Sequence, residues 1–561
     1  MNKVIRAAKP AGSALAIVLL LTSCFGGGSP SASEPTESSS DNLYQEPGLS
    51  RYPSTIELSF VRQTSDDLEG MLRQLPGETL LDNRWSRLYE NVLGVKIAYD
   101  WTAKGELYNQ KLGVAIASGT IPDVIKVNAQ QLRQLSNAGM IEDLTTVYDR
   151  FATAFTKQTL GEEGNGPFEA ATLDGKLMAL PDTSSSIERA NFLWIRTDWL
   201  ETLGLEPPRT IADVLAISKA FADEDPDRNG QDDTYGLAAT SYLFDPVAGV
   251  HGFMAGYGAY PKLWLPDESG KLVFGGIQPE VKTALLQLQE LYRDGQIDPE
   301  FGIKDGAKVR DDTAAGKYGL LYGEQWSSFW VQASVEKNAK AKWQAFPIVS
   351  ETDELPMVPL SFSTDKFYAV KKGYEHPEAI VKLINLHLEK NWGETADYET
   401  YYSTPQPVWG LSPVAPYPAK KNLEAYRQLA QARSTGDESG LKAEARAILQ
   451  NIETYRSGGS RKMDGWGWDR TYGADGAFAI LDEYEKNGQL LYESFVGGPT
   501  PTMIEKKTIL DNLLNDTYIN IILGRPIEEF DRFVDEWRRL GGDLITAEVN
   551  EWYAERGGLT P

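Results

Sequence analysis

The sequence predicts an α/β protein of two lobes, and three features carry that reading. From Ser54 onward, short β-rich runs alternate with helix-length segments, the rhythm of βαβ units whose strands form a parallel sheet under covering helices. About 510 residues follow the leader region, more than a single hydrophobic core usually serves. Cys24 is the only cysteine among 561 residues, so no internal disulfide holds the chain and apolar cores must.

In chain order, residues 56–60, 95–99 and 124–127 read as strands, and 80–93 and 106–117 as helix-length segments between them. In an open sheet of this kind ligands sit beyond the carboxyl ends of the strands. That puts Arg62 and Gln63, after the first strand, and Asn128 and Gln130, after the third, in candidate positions; loop solvation and helix capping are the ordinary alternatives. A second α/β region begins near Asn191, with a strand at 192–195 and a helix at 198–203 closed by Gly204. Past Pro207-Pro208 a helix opens on Thr210 with Asp213 at its third position, a capping-box arrangement, and Ile211, Val214, Leu215, Ile217 and Phe221 line one face. Near the end, Pro526 opens a helix with Ile527, Phe530, Phe533, Val534, Trp537 and Leu540 on one stripe, which Gly541-Gly542 is expected to end. Trp537 reads as core.

The first 23 residues read as an export signal: Lys3, Arg6 and Lys9, an apolar run at 14–21, then Thr22-Ser23-Cys24. The apolar run is far short of the roughly 20 residues a membrane span needs. Residues 25–50 are rich in Gly, Ser, Pro and Glu and read as a disordered tether with a reach of about 30 Å. Loss of residues 1–23 takes three of the 55 basic residues and none of the 80 acidic ones, so the net charge moves from −25 to −28. So acidic a chain is a poor partner for nucleic acid.

The sharpest local motif is Asp225-Pro226-Asp227-Arg228-Asn229-Gly230-Gln231-Asp232-Asp233. Asp225, Asp227, Asn229 and Asp233 stand at positions 1, 3, 5 and 9 of a calcium-loop spacing, Gly230 at 6 and the Gln231 carbonyl at 7. Position 12 is Gly236, not the bidentate Glu, so a structural Ca²⁺ is expected rather than a sensor; a metal-free acidic turn is the alternative. No Gly-x-Ser-x-Gly, His-Glu-x-x-His or phosphate-loop motif occurs. With three scattered histidines (His251, His376, His387) and one thiol, zinc and cysteine-nucleophile chemistry are poorly supplied, and no enzymatic activity is expected. A carboxyl pair for glycoside hydrolysis is not excluded this way.

Fourteen Trp and 26 Tyr include many beside Gly or polar residues rather than inside helical stripes. A flat ring against the C–H face of a sugar buries apolar area at little entropic cost, while polar neighbours bind hydroxyls. The candidate ligand-binding set is Trp326, Trp194, Tyr257, Trp466 and Trp468 with Arg62, Asn128 and Gln130; for any one ring, core packing is the ordinary alternative.

Several segments together resemble a known family: Gly119-Thr120-Ile121-Pro122-Asp123-Val124, Leu193-Trp194-Ile195-Arg196-Thr197-Asp198-Trp199-Leu200, Leu291-Tyr292-Arg293-Asp294-Gly295, Gly316-Lys317-Tyr318-Gly319 leading to Trp326, and Pro499-Thr500-Pro501-Thr502-Met503. They are similar to the extracellular solute-binding lipoproteins (family 1, LplA-like) of carbohydrate ABC importers, over nearly the whole chain after the signal. Leu21-Thr22-Ser23-Cys24 likewise resembles a lipobox, which implies lipidation of Cys24 and a protein anchored at the extracellular face of the cell membrane. The resemblance implies a two-lobe periplasmic-binding-protein-like (type II) fold with a hinge, lobes of residues 51–185 plus 362–410 and 186–361 plus 411–561, and crossovers near 181–189, 360–364 and 409–413. It further implies that Trp326, with Asn128 and Gln130, contacts sugar, that Asp225, Asp227, Asn229, Gln231 and Asp233 hold calcium, and that a monomer delivers an oligosaccharide to ABC permease subunits. A surface-tethered glycoside hydrolase and a peptide-binding lipoprotein are the alternatives.

Overall fold

The computed structural model describes residues 44–352, 354–404 and 406–556; the expected signal, Cys24 and most of the tether lie outside them. Two hydrophobic cores organise these residues. One draws on residues 49–180 and 367–414, the other on 187–360 and 423–553. The chain therefore passes between the cores three times.

In the first core the strands Ile56–Thr64 and Val95–Lys104 pair in parallel, Ile56 opposite Val95, as the βαβ rhythm predicts. The strand Val124–Asn128 departs from it. Its ladder partner is Lys366–Val370, which returns from the other lobe and runs antiparallel, Asn128 opposite Lys366, and also pairs with Leu180–Pro181. In the second core a four-stranded sheet takes the order Trp343–Phe346, Phe192–Arg196, Tyr318–Gly323, Tyr235–Leu237, and only the last pair is parallel. The first core thus carries a parallel pair beside a separate, wholly antiparallel three-stranded sheet, and only the four-stranded sheet of the second core is mixed.

All five residues of Phe192–Arg196 are buried, the pattern of a strand covered on both faces. All six of Tyr318–Gly323 are buried too, and Gly319 is needed there: a Cβ would stand 2.1 Å from Phe221 and 2.7 Å from Trp199. Phe221 comes from the helix Ile211–Asp223, whose capping box forms as the sequence predicts. Thr210 Oγ1 accepts from the Asp213 amide at 3.2 Å, and Asp213 Oδ2 accepts from the Thr210 amide at 3.0 Å. Thr210→Ala is expected to lower unfolding stability by about 1 kcal/mol, read from the urea midpoint at unchanged slope.

The expected stop at Gly541-Gly542 is instead a kink. The helix Glu529–Trp537 passes through a wide turn at Arg538–Gly542 into the helix Asp543–Glu555, and Gly541 takes φ 134°. Trp537 is 3 % exposed and stacks on Phe274 at 5.2 Å. Gly542 lies so close to this indole that a Cβ would overlap it at 2.0 Å.

Candidate ligand-binding cleft

The crossing segments and the ends of neighbouring strands enclose a cleft of about 840 Å³ between the lobes. The first crossing contributes residues 182–185 with Glu188 and Arg189, the second Phe362, Ser363, Asp365 and Lys366, the third Ala415, Pro416 and Tyr417. Three indoles line it, Trp326 from the second lobe and Trp392 and Trp409 from the first, and Trp326 and Trp409 are the pair contributed from opposite sides. Trp326 follows the buried strand Tyr318–Gly323 and sits at the N-cap of the helix Ser327–Lys337. Its Nε1 donates to Glu324 Oε2 at 2.7 Å, which fixes the ring's orientation. Trp409, 40 % exposed, belongs to the helical turn Val408–Leu411 on the first core.

Trp409 rests on an aromatic wall. It stacks on Tyr402 at 6.3 Å, Tyr402 stacks on Tyr398 at 4.7 Å, and Trp392 meets Tyr402 edge-on at 5.3 Å. Glu444, from the second lobe, anchors that wall by accepting from Trp392 Nε1 at 3.2 Å, Tyr398 Oη at 3.1 Å and Lys421 Nζ at 2.5 Å. Trp409, Tyr402, Trp392 and Tyr417 are absent from the sequence-based candidates. Their signal was available: Trp409 precedes Gly410 in an aromatic-rich stretch, the same criterion that singles out Trp326.

The other candidates divide. Arg62 lines an adjoining cavity of about 400 Å³, but its guanidinium donates to the carbonyls of Gly410, Leu411 and Ser412 and to Tyr99 Oη. It holds the segment beneath Trp409 instead of waiting for a ligand. Asn128 lines the same cavity while its side chain caps a helix, accepting from the Gln131 amide at 2.9 Å. Gln130 is exposed to solvent and does not line the cleft. Trp194 and Trp466 correct the expectation outright. Trp194 has no exposed surface, pinned between Leu321 and Ala345 on neighbouring strands, and Trp466 is 4 % exposed within the second core. Tyr257 packs on Phe253 at 5.4 Å, and Trp468 stacks on Tyr472 at 5.8 Å with Phe329 at its edge; neither lines the cleft.

In the acidic loop, Asp225 accepts from the amides of Asn229 and Gly230, each at 3.0 Å, and Asn229 Nδ2 donates to Asp227 and Asp233, each at 3.0 Å. Burial first, then nearby Asp225 and Asp233, hold the Asp227 carboxyl above its usual range. The donors are oxygens throughout, which suits a hard cation. Even so, among the described residues no three Asp, Glu, His or Cys side chains are grouped to hold a metal ion.

Burial pushes the Glu188 carboxyl up to about 7, against the pull of Lys421 and hydrogen bonding with Tyr417 and Asn422, with Glu444 adding to the rise. Burial likewise drives the imidazoles of His251 and His387 down to about 4 and about 3, so both stay uncharged at neutral pH. Glu188 carries a pH dependence of definite sign. The folded state keeps its proton up to about 7 while the unfolded chain releases it near 4.5, so the folded state loses stability as pH climbs through that window. Glu188→Gln, which cannot ionise, is expected to gain stability relative to wild type between about pH 5 and about pH 8. Parallel urea titrations of the two proteins read the difference, and a constant gap would contradict the assignment.

Residues 89–392 match the family described as bacterial extracellular solute-binding protein. The chain is 24 % identical over 482 residues to Lipoprotein LipO of Bacillus subtilis, covering 83 % of this chain and 87 % of that one. It is 25 % identical over 216 residues to the polygalacturonan/rhamnogalacturonan-binding protein YtcQ of the same organism, covering 38 % and 41 %. The substrate-binding protein FusA of Streptococcus pneumoniae, solved as an EF-hand mutant in complex with fructo-nystose, superposes with a TM-score of 0.54 at 17 % identity over 90 % of this chain and 99 % of that one. The two lobes and the cleft between them are thus the architecture of a known fold, and the chain belongs to the family of bacterial extracellular solute-binding proteins.

Proposed function

We propose that this protein is a non-enzymatic receptor that takes up an oligosaccharide between its lobes and passes it unaltered to an ABC permease. The observation that carries the proposal is the pair of indoles, Trp326 and Trp409, contributed to one cleft by opposite lobes. Rings placed so can stack on the two ends or two faces of a sugar chain only when the lobes are together. The carbohydrate named for YtcQ and the fructo-nystose bound by FusA support the ligand class. Ligand contacts made by both lobes exist only in the closed form, so binding shifts the population toward closure. The lobes are read as residues 51–185 with 362–414 and 186–361 with 415–561; Leu411 and Val414 pack into the first core, so the third boundary falls a few residues later than 410.

The same reading includes anchorage through lipidated Cys24 at the outer face of the cell membrane, supported by the name of LipO, and Ca²⁺ in the loop 225–233, supported by the oxygen donors and by the EF-hand mutant of FusA. Removal of calcium by a chelator is expected to lower the melting temperature, and Asp225→Ala to abolish that response. The test of the function itself is calorimetric titration against a glycan panel, with the recovered glycan assayed for new reducing ends. Binding with intact glycan supports the receptor; cleaved glycan would reassign the cleft to hydrolysis, and binding only of peptides would reassign its ligand.

A further inference from the structure

We infer that a cavity on the second lobe, beside the cleft, is a further sugar subsite in which Tyr242 is a third stacking platform and Arg189 binds the end of the ligand. The inference rests on the receptor reading above and deepens it, since the ligand then continues past Trp326 by at least one sugar unit.

Among the described residues, Trp409 and Tyr242 are the only exposed aromatic side chains, at 40 % and 45 %. Trp409 already lines the cleft. Tyr242 lines a cavity of about 450 Å³ that shares Arg189 and Glu324 with the cleft. One structural rule places both Tyr242 and Trp326. Trp326 follows the strand Tyr318–Gly323, Tyr242 follows the strand Tyr235–Leu237, and these two strands are parallel neighbours. Ligands gather beyond the carboxyl ends of such strands. Tyr242 is also held in place before any ligand arrives. Phe244 meets its ring edge-on at 5.9 Å, and Asn515, from the helix Pro501–Ile522, brackets its backbone. Asn515 Oδ1 accepts from the Leu243 amide at 3.2 Å, and Nδ2 donates to the Ser241 carbonyl at 3.1 Å. A ring fixed in this way stacks on a sugar face with little further loss of freedom.

Arg189 supplies donors at the junction of the cleft and this cavity. It is exposed, and among the described residues its guanidinium makes no ion pair and no hydrogen bond. The neighbouring Glu324 already accepts from Trp326 Nε1. Lys262, the other cation of the cavity, is paired with Asp511 at 3.2 Å and lies over Phe244 at 5.2 Å. Arg189 is therefore the unspent cation here, and its planar fork of N–H groups suits two adjacent oxygens of a sugar. The first-lobe cavity offers no counterpart. Phe60, Tyr108 and Tyr368 are buried there, and Arg62 is bound to three carbonyls and Tyr99. An open ring and an open cation thus meet at the second-lobe end.

Calorimetric titration of the intact protein with malto-, fructo-, xylo- and galacturono-oligosaccharides, each from disaccharide to hexasaccharide, tests this. In a series that binds, affinity is expected to rise about tenfold on addition of the unit that reaches Tyr242. Tyr242→Ala and Arg189→Ala are each expected to remove that rise and leave the shorter members unchanged, whereas Tyr242→Phe, which keeps the ring, retains it. A loss of equal size at every length, or no loss at any length, in either alanine variant overturns the subsite while leaving the receptor intact. Failure of every glycan to bind overturns the receptor reading and the inference with it.

Discussion

Trp326→Ala and Trp409→Ala are each expected to weaken oligosaccharide binding by about thirtyfold, equivalent to about 2 kcal/mol, and the double variant by roughly a thousandfold. An indole that covers a sugar face removes on the order of 100 Å² of apolar surface from water, worth about 2.5 kcal/mol at about 25 cal/mol per Å². Aromatic anchors in desolvated pockets dominate binding energies in the same way. Near-additivity follows from placement. Trp326 is oriented by Glu324 within the second lobe and Trp409 by Tyr402 within the first, so the two share no partner and do not couple directly. Because both rings keep exposed surface, neither substitution should shift the melting temperature of the ligand-free protein by more than a degree or two. Calorimetry decides the matter; a double variant that binds as tightly as wild type would show that the cleft is not where the sugar sits.

Loss of the cation at Lys421 should produce the largest effect on stability. The Lys421 and Glu444 side chains are 7 % and 11 % exposed and 2.5 Å apart, and Glu444 also accepts from Trp392 and Tyr398. Lys421→Met leaves Glu444, and Glu188 nearby, without their positive neighbour, and removal of one member of a buried pair costs about 3–5 kcal/mol. The double variant Lys421→Met/Glu444→Leu should recover much of that loss, since a well-packed apolar pair replaces a buried ionic one at little net cost. It should not recover ligand affinity. Trp392 and Tyr398 lose the acceptor that ties the aromatic wall to the second lobe, and Trp409 rests on that wall. Urea unfolding and sugar titration of the three proteins separate the two effects; a single variant as stable as wild type would contradict the burial of the pair.

What the sequence displays locally, the structure largely keeps. The start of the strand Ile56–Thr64, read in sequence as 56–60, the helix Ile211–Asp223 with its Thr210 cap and the core position of Trp537 all follow from periodicity and capping chemistry over a few neighbouring residues. Long-range pairing leaves no such trace. Nothing near Val124–Asn128 announces that its partner is Lys366–Val370, more than 230 residues away and antiparallel. The indoles show the same limit. Trp194 and Trp326 both carry polar or aromatic company in sequence, yet Trp194 lies in a strand whose two faces are covered, whereas Trp326 lies just past the end of one, where side chains meet the cleft. Arg62 and Gln63 read in sequence as residues beyond a strand ending at 60, yet the strand runs on to Thr64 and both pair within its ladder; Arg62's role depends on the carbonyls of Gly410, Leu411 and Ser412, which only the fold brings to it. Gly541-Gly542 read as a helix stop because glycine ends helices more often than it bends them.

The claim beneath all of this is that two lobes close on a glycan. Small-angle X-ray scattering of the protein with calcium, recorded with and without a neutral oligosaccharide at saturation, tests it most directly. The account predicts a smaller radius of gyration in the presence of the sugar, reversed on dialysis and absent in the Trp326→Ala/Trp409→Ala variant. A radius that no glycan changes, with binding demonstrated in the same sample, would contradict it.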